Sequence, residues 1–361
     1  TTCIFDAYGT LFDVAAAART AADEPGRDAF RAHWPAIAEH WRLKQLQYTW
    51  LRAVMGQHTD FWAVTQDGLD WALEAGLRAG LFAIFIPPNK AEEARPRSFG
   101  GKLSTAGAVP LERAQRIAAA MFSRLHRYAE AADGRFRIAR TASELEAATS
   151  GDYLAGICHM EGAEPIDRNL HALDLYYQAG LRSLGIVWSR TNRFATGVPF
   201  GFDMTPDIGP GLTEAGRELV RRCNDLGILI DVSHLNDRGF RDVVRISRAP
   251  VVASHSNAWG LSKSTRNLTD EQLAAIRDTD GLVGLNFGVP FLRPDGGTDE
   301  NTPIDRMLEH IDYLVEHLGI DRVALGSDFD GVAIPKEIGS VRGLPALIEA
   351  LRRAGYSEDE V

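Results

Sequence analysis

The chain has 361 residues, of which 45% are apolar and 24% are charged, so it can bury a large core and is neither a mini-protein nor a disordered chain. Its 39 Lys and Arg against 49 Asp and Glu give a formal net charge of −10, and a negative surface repels phosphate backbones. Nucleic acid is therefore not an expected partner, and the length suits either two average domains or one large α/β barrel.

The cysteines and the hydropathy pattern indicate a reducing compartment. Cys3, Cys158 and Cys223 are far apart and form no Cys-x-x-Cys pair, which argues against a disulfide framework and against a thiolate metal site. No apolar run approaches the roughly 18 residues that a membrane span needs, and no signal-peptide pattern opens the chain. We therefore expect a cytoplasmic protein with no membrane partner.

The first 75 residues differ in pattern from the rest of the chain. Residues 3–5 form a short apolar run, and residues 14–75 carry alanine and aromatic residues at helical spacing. This pattern predicts one strand followed by a mostly helical segment. We place a domain boundary at residue 75, which separates residues 1–75 from residues 76–361.

After residue 75, apolar strands alternate with amphipathic helices. The strands are predicted from nearly continuous apolar runs, as expected for strands buried on both faces, at residues 81–86, 153–158, 183–187, 228–233, 250–254, 282–286 and 322–326. Helices are predicted at residues 111–131, 213–226, 237–247, 269–277 and 303–318. Such a series forms either a doubly wound sheet or a (β/α)8 barrel, and seven strands are one short of a barrel.

Four ionisable residues follow the predicted strands, at the end where α/β barrels place catalytic groups. Glu161, His234, His255 and Asp328 each come at or just after the carboxyl end of a different strand. Two imidazoles and a carboxylate are ligands that zinc accepts, and a carboxylate can bridge two ions. Because paired metals activate a shared water, the expected reaction is hydrolysis, with Asp328 as acid/base. The alternative reading is that the histidines are structural and that Glu161 caps a helix.

Long motifs make residues 76–361 resemble the membrane dipeptidase family (renal dipeptidase, peptidase M19). The motifs are AGLFAIFIPP (79–88), HMEGAEPI (159–166), GLTEAGRELVRRCNDLGILIDVSHLN (211–236), APVVASHSNAWGLSKSTRNLTDEQL (249–273) and ALGSDFDG (324–331). The resemblance implies a (β/α)8 TIM-like barrel of the metal-dependent amidohydrolase type, with two zinc ions and dipeptide substrates, commonly with a D-residue at the C-terminal side.

The resemblance also implies roles for individual residues. Glu161 is similar to the carboxylate that bridges both metals, and His234 and His255 are similar to ligands of the second ion. Asp328 resembles the catalytic acid/base. Arg266 resembles the arginine that binds the terminal carboxylate of the dipeptide, which a bidentate guanidinium does well. The alternative for Arg266 is a surface residue in a solvated loop.

The sequence departs from the family pattern at two places. Trp188 stands where many members carry a histidine that polarises the substrate. The family also begins with a strand ending in His-x-Asp, which binds the first zinc, and this pair is absent from its expected place. His58 and Asp60 spell the same motif, but the residues around them predict a helix, so we interpret the match as coincidence. We therefore expect one or two zinc ions, in a barrel that lacks the family's usual first strand and last helix.

Residues 1–75 instead resemble the start of the L-2-haloacid dehalogenases, of the haloacid dehalogenase superfamily. The matching stretches are CIFDAYGTLFDV (3–14) and residues 40–74. The resemblance implies a nucleophilic Asp6 and a halide-binding Arg42, but the later groups that would hydrolyse the ester are missing. We thus predict a zinc-dependent dipeptidase, with a catalytically impaired hybrid or a dehalogenase as alternatives. A homodimer is also expected.

Overall fold

The computed structural model of the protein describes Leu69 and residues 72–74, 76–88, 108–329 and 331–361. Several sequence predictions lie outside these residues. They are the strand at residues 3–5, the helical segment that follows it except for residues 69 and 72–74, and the candidate residues Asp6, Arg42, His58 and Asp60.

A parallel sheet curls through the described part of the chain. Its strands are β1 (Ala79–Phe85), β2 (Phe136–Ile138), β3 (Leu154–Glu161), β4 (Leu181–Gly185), β5 (Leu229–Asp231), β6 (Val252–Ala253), β7 (Leu282–Asn286) and β8 (Val323–Gly326). Seven of them follow the order β1-β3-β4-β5-β6-β7-β8, and β2 pairs with β3 beside this path. The sheet forms a curled half-barrel with helices, consistent with the predicted (β/α)8 TIM-like fold.

The register brings the carboxyl ends of the strands to one edge. Phe85 pairs with Glu161 between β1 and β3, and Glu161 pairs with Gly185 between β3 and β4. Gly185 then pairs with Asp231 at the end of β5. Residues at these positions, and in the loops that directly follow them, therefore lie close together although they are far apart in the chain.

Helices connect most of the strands. They are α1 (Leu111–Ala131), α2 (Ala142–Thr149), α3 (His171–Gln178), α4 (Glu214–Leu226), α5 (Asp237–Ile246), α6 (Asp270–Asp278), α7 (Val289–Leu292), α8 (Asp305–Leu318) and α9 (Leu344–Ala354). Short 3₁₀ helices cover Ile320–Arg322 and Val341–Gly343. The central strands are buried along most of their length, as their apolar sequences require.

Local sequence signals explain where the best-defined helices begin and end. The Thr213 side chain accepts a hydrogen bond from the Gly216 amide at the start of α4, and Gly227 ends the helix with φ 70°, a left-handed conformation that glycine adopts without strain. Thr269 and Gln272 form a reciprocal capping box at the start of α6. These caps place both helix starts within one residue of the predicted ones.

All seven predicted strands and all five predicted helices are present, with ends that differ by a few residues. The pattern missed β2, α2, α3 and α9. The single-turn helix α7 was not predicted either. β2, α2, α3 and α7 have between three and eight residues, so hydrophobic patterning alone does not reveal them. The helix α9 does carry a signal, because its buried leucines recur at helical spacing, and the prediction overlooked it.

Candidate metal centre

Three of the predicted ligands meet at the carboxyl edge of the sheet. Glu161 is the last residue of β3, and His234 and His255 follow β5 and β6. The Nε2 atom of His234 lies 3.1 Å from Oε1 of Glu161 and 2.9 Å from Nε2 of His255. The Nε2 atom of His255 lies 3.6 Å from the same Glu161 oxygen. The structure therefore brings these three side chains together, as their positions at the strand ends predicted.

Backbone strain marks two of the predicted site residues. His234 has φ 68° and Asp328 has φ 52°, values in the left-handed region that residues with a side chain rarely adopt. Such strain costs of order 1–3 kcal/mol per residue and persists where the surrounding structure holds it, commonly at functional sites. In both cases the turn lets a side chain that follows a strand point back to the sheet edge.

Both imidazoles of the cluster are neutral at neutral pH. Burial, together with the nearby positive charge of Arg266, lowers the pKa of His255 to about 3. The same two causes lower the pKa of His234 well below its ordinary value. Neutral imidazole is the form that binds metal ions, because the nitrogen lone pair is then available.

The donor set fits a metal ion. Donor atoms around a tetrahedral ion at about 2.0–2.2 Å lie roughly 3.3–3.6 Å apart. The three separations here run from 2.9 to 3.6 Å. Among the described residues, Glu161, His234 and His255 form the one group of three or more His, Cys, Asp or Glu side chains arranged to hold a metal. Two imidazoles and a carboxylate are the nitrogen and oxygen ligands typical of such sites.

Arg266 is buried beside this cluster, which excludes the alternative of a solvated surface arginine. The residue is 3% exposed, and its Nη2 atom donates to the backbone carbonyl of His255 at 3.0 Å. Its Nε–H group is buried and has no hydrogen-bond partner among the described residues. A buried guanidinium with an unused donor costs free energy unless another acceptor arrives, so Arg266 is suited to bind an anionic group.

The fourth strand-end residue, Asp328, is held by the neighbouring strand. Asn286, the last residue of β7, donates from Nδ2 to Oδ2 of Asp328 at 2.9 Å. The Asn286 side chain is itself oriented, because its Oδ1 accepts from the Gly288 amide at 2.6 Å. The negative charge of Asp328 also acts on the guanidinium of Arg266. Asp328 thus belongs to the same sheet edge as the three donors.

Aromatic side chains line one side of the cluster. Trp188 has its ring centroid 6.0 Å from that of His234 and contacts the rings of Phe85 and Phe200 at 5.4 and 5.6 Å. Phe200 in turn stacks against Phe291 at 6.2 Å. The residue at the position where many family members carry a histidine therefore supplies an apolar surface here.

A buried ion pair supports the loop that carries Trp188. Nε of Arg190 donates to Oε1 of Glu164 at 2.7 Å, and Nη2 donates to the carbonyl of Ile86 at 2.5 Å. Both side chains are at most 1% exposed. The pair links the ends of β1, β3 and β4, so it fastens together the backbone segments that surround Glu161.

Sequence reasoning missed several polar residues below the donors. Asp231 and His159 lie inside buried strands, and Ser254 and Asn286 stand next to predicted site residues. A signal was available for the first two, because a charged residue and a histidine interrupt the apolar runs ILIDV and YLAGICHM. Such interruptions of a buried strand require hydrogen-bonded partners, so they point to a polar network.

The comparisons with known proteins identify the family. The family model for membrane dipeptidase (Peptidase family M19) matches residues 31–361. The chain belongs to this family. It is also 48% identical to an uncharacterized protein in the pqqA 5′ region of Klebsiella pneumoniae over 225 residues, which cover 62% of this chain and 83% of that protein.

Solved structures of M19 metallopeptidases share the fold. A metallo peptidase from Rhodobacter sphaeroides, liganded with a phosphinate mimic of the dipeptide L-Ala-D-Ala, has 47% identity and a TM-score of 0.76, covering 80% of this chain and 84% of that one. The dipeptidase AC, a metallo peptidase of family M19, has 48% identity and a TM-score of 0.77, covering 81% and 83%.

These findings confirm the predicted metallo-dipeptidase class and the barrel-type fold. The haloacid dehalogenase resemblance of residues 1–75 is not shown, and the family match already begins at residue 31. A dehalogenase function is therefore not favoured. Within the described ranges, no helix is both long enough and apolar enough to cross a membrane.

Proposed function

We propose that this protein is a zinc-dependent dipeptidase in which Glu161, His234 and His255 bind the metal. The observation that carries the proposal is the convergence of one carboxylate and two neutral imidazoles, whose ligand atoms lie within 4.8 Å of one another. When bound at this cluster, zinc would supply the Lewis acid that makes a water molecule nucleophilic at neutral pH and polarises the peptide carbonyl.

Asp328 serves as the acid/base in this proposal. Its carboxylate is oriented by Asn286 and lies at the same sheet edge as the metal ligands. A carboxylate in this position removes a proton from the attacking water and then donates a proton to the leaving amine. The hydrogen bond from the Asn286 amide fixes the orientation of the carboxylate at this edge.

Arg266 provides recognition of the substrate. The unused Nε–H donor and the positive charge suit the terminal carboxylate of a dipeptide, and a charge-assisted hydrogen bond to it is worth about 1.5–3 kcal/mol. Phe291 lies beneath the guanidinium, with the ring centroid 5.6 Å from Cζ. The aromatic surface formed by Phe85, Trp188, Phe200 and Phe291 would pack against the substrate side chains and exclude water.

Several parts of the sequence prediction keep their status as predictions. They include the number of zinc ions, one or two, and the division of the chain at residue 75. The cytoplasmic location and the homodimer are also predictions from the sequence. The L-Ala-D-Ala mimic bound by the Rhodobacter sphaeroides relative makes that dipeptide the first substrate to test.

The test uses the full chain after removal of metal with a chelator. We expect no hydrolysis of L-Ala-D-Ala or L-Ala-L-Ala without metal and recovery of activity when zinc is added. Glu161→Gln should abolish both tight zinc binding and turnover, since it removes the anionic ligand. Glu271→Gln, on the exposed side of α6, is the matched control and should behave like the wild-type protein.

Two results would contradict the proposal. One is a wild-type protein that binds no zinc by elemental analysis after reconstitution. The other is hydrolysis of a panel of L-L and L-D dipeptides at the same rate by the wild-type protein and by Glu161→Gln. Release of chloride from 2-chloropropionate would instead support the dehalogenase alternative.

A further inference from the structure

Asp231 is a buried carboxylate directly below the proposed metal ligands. It ends β5 and is 1% exposed. Its Oδ1 atom accepts hydrogen bonds from the backbone amides of Ser233 and Ser254, both at 2.9 Å, and its Oδ2 atom accepts from the Ser254 hydroxyl at 2.6 Å. Burial raises the pKa of a carboxyl group, but the three hydrogen bonds that Asp231 accepts favour its ionised form.

The direction of these hydrogen bonds assigns the protons of His255. An ionised carboxylate only accepts, so the single hydroxyl proton of Ser254 is donated to Asp231. The Ser254 oxygen also lies 2.7 Å from Nδ1 of His255, and it must accept in that contact. His255 therefore carries its proton on Nδ1. The Nε2 atom of His255 faces His234 and Glu161, and its lone pair is therefore available to bind a metal ion.

The second histidine shows no such assignment. Nδ1 of His234 lies 2.7 Å from the hydroxyl of Ser189. In the described part of the chain, no hydrogen bond is found between Ser189 and a carboxylate, so its hydroxyl can either donate or accept. Each imidazole thus lies 2.7 Å from a serine hydroxyl. Among the described residues, only the serine beside His255 also donates a hydrogen bond to a carboxylate.

Packing holds the Asp231, Ser254 and His255 side chains in line. A Cβ atom on Gly284 or on Gly326 would lie 2.0 or 2.1 Å from the Ser254 carbonyl oxygen, so these two strand glycines allow the backbone of Ser254 to approach β7 and β8 closely. On the other side, Nε2 of His159 lies 3.6 Å from Oδ2 of Asp231. The backbone of Ser254 and the carboxylate of Asp231 are thus both closely packed by neighbouring strands.

We propose that Asp231 is a positioning residue that acts through Ser254 to hold His255 in the tautomer whose Nε2 atom can bind the metal. This role rests on the proposed function, because it requires Glu161, His234 and His255 to be the ligands. Asp231 itself contacts neither the metal nor the substrate in this role. Carboxylates that orient metal-binding histidines in this indirect way typically contribute 10- to 100-fold to metal affinity.

Asp231→Asn is the main test because it can reverse the direction of the hydrogen bonds from Asp231 through Ser254 to His255, while the side chain keeps nearly the same shape. An asparagine amide can donate to the Ser254 oxygen, which frees the Ser254 proton for Nδ1 of His255 and favours the tautomer protonated on Nε2. We expect zinc affinity, measured by chelator competition, to fall 10- to 100-fold. The visible absorption of the cobalt-substituted protein should change as the ligand field changes.

Two further variants separate positioning from folding. Asp242→Asn alters another buried carboxylate, which accepts from the Leu212 amide and from Arg245 on α5. It should lower stability and leave zinc affinity within about twofold of the wild-type value. Ser254→Ala removes the hydroxyl that links the two side chains and should weaken zinc binding, so it decides the question if Asp231→Asn does not fold.

A metal-free measurement distinguishes this inference from the proposed function. The ¹⁵N chemical shifts of the His255 ring in the chelator-treated full chain should report a proton on Nδ1 in the wild-type protein and a shift toward Nε2 in Asp231→Asn. The positioning role alone would be overturned if the wild-type protein binds zinc and Asp231→Asn has the same zinc affinity and the same His255 ¹⁵N chemical shifts. Failure of the wild-type protein to bind zinc would overturn the proposed function and the positioning role together.

Discussion

The carboxyl edge of the sheet and the outer helical layer use charge in opposite ways. At the edge, Asp231 and the Glu164–Arg190 pair are almost completely buried. On the helices, ion pairs such as Arg241 with Glu271 lie in solvent, with the two side chains 52% and 75% exposed. Buried charges are costly unless every partner is in place, whereas exposed pairs contribute little. The edge is therefore organised for binding and chemistry, and the helices enclose the core.

The largest effect on activity is expected from Asp328→Asn, which removes the proposed acid/base from the carboxyl edge of the sheet. We expect kcat for L-Ala-D-Ala to fall about 10²–10⁴-fold, because an amide cannot exchange the proton. Zinc content and the urea midpoint should remain close to the wild-type values, since the amide oxygen of the new side chain can still accept from Asn286. Steady-state kinetics with parallel elemental analysis checks this, and a kcat within twofold of wild type would remove Asp328 from the mechanism.

A comparison of Glu164→Gln with Glu271→Gln tests the difference between the two regions directly. The first substitution leaves Arg190 as an unpaired buried charge and should lower the free energy of unfolding by about 3–5 kcal/mol. The second removes an exposed partner of Arg241 and should cost about 0–1 kcal/mol. Urea unfolding of the chelator-treated proteins measures both changes. Equal shifts would contradict the distinction between edge and helices.

A smaller effect is expected from a buried histidine on the helical side. Burial lowers the pKa of His310 to about 4, and its neutral ring accepts from the Ala258 amide at Nδ1 and donates to the Leu292 carbonyl from Nε2. In the unfolded chain the His310 ring has a pKa of about 6.5, so below this pH it binds a proton that the native ring does not bind. This group should therefore destabilise the protein progressively from pH 6.5 to pH 4, by about 3 kcal/mol in total.

His310→Gln isolates this contribution from the other buried groups. The glutamine does not titrate, so the variant should lose less stability than the wild-type protein between pH 6.5 and pH 4. Thermal or urea unfolding at several pH values in this window provides the measurement. Parallel stability curves for the two proteins would show that His310 does not titrate on unfolding.

Much of the fold was predictable because burial on both faces leaves a simple pattern in the sequence. The apolar runs at β3, β7 and β8 are nearly continuous, and threonine caps and a left-handed glycine delimit α4. β2 has three residues, and β6 only two, so pairing with neighbours defines them more than their own composition does. Propensity summed over so few residues carries little information.

For the site, the chain order of apolar strand and polar residue was enough to predict Glu161, His234, His255 and Asp328 as a converging set. The long motifs added Arg266. The first inference works because parallel strands end at one edge, so residues at strand ends are neighbours whatever their separation in sequence.

The tertiary structure alone decided which polar groups support that set. The sequence marks Asp231 as a charge inside an apolar strand, but its partner Ser254 becomes a neighbour only when β5 and β6 lie side by side. Arg190 likewise finds Glu164 and Ile86 only through the packing of three strands. Composition and spacing determine where a strand ends, but the direction of a hydrogen bond and the burial of a charge depend on atoms brought together by the fold.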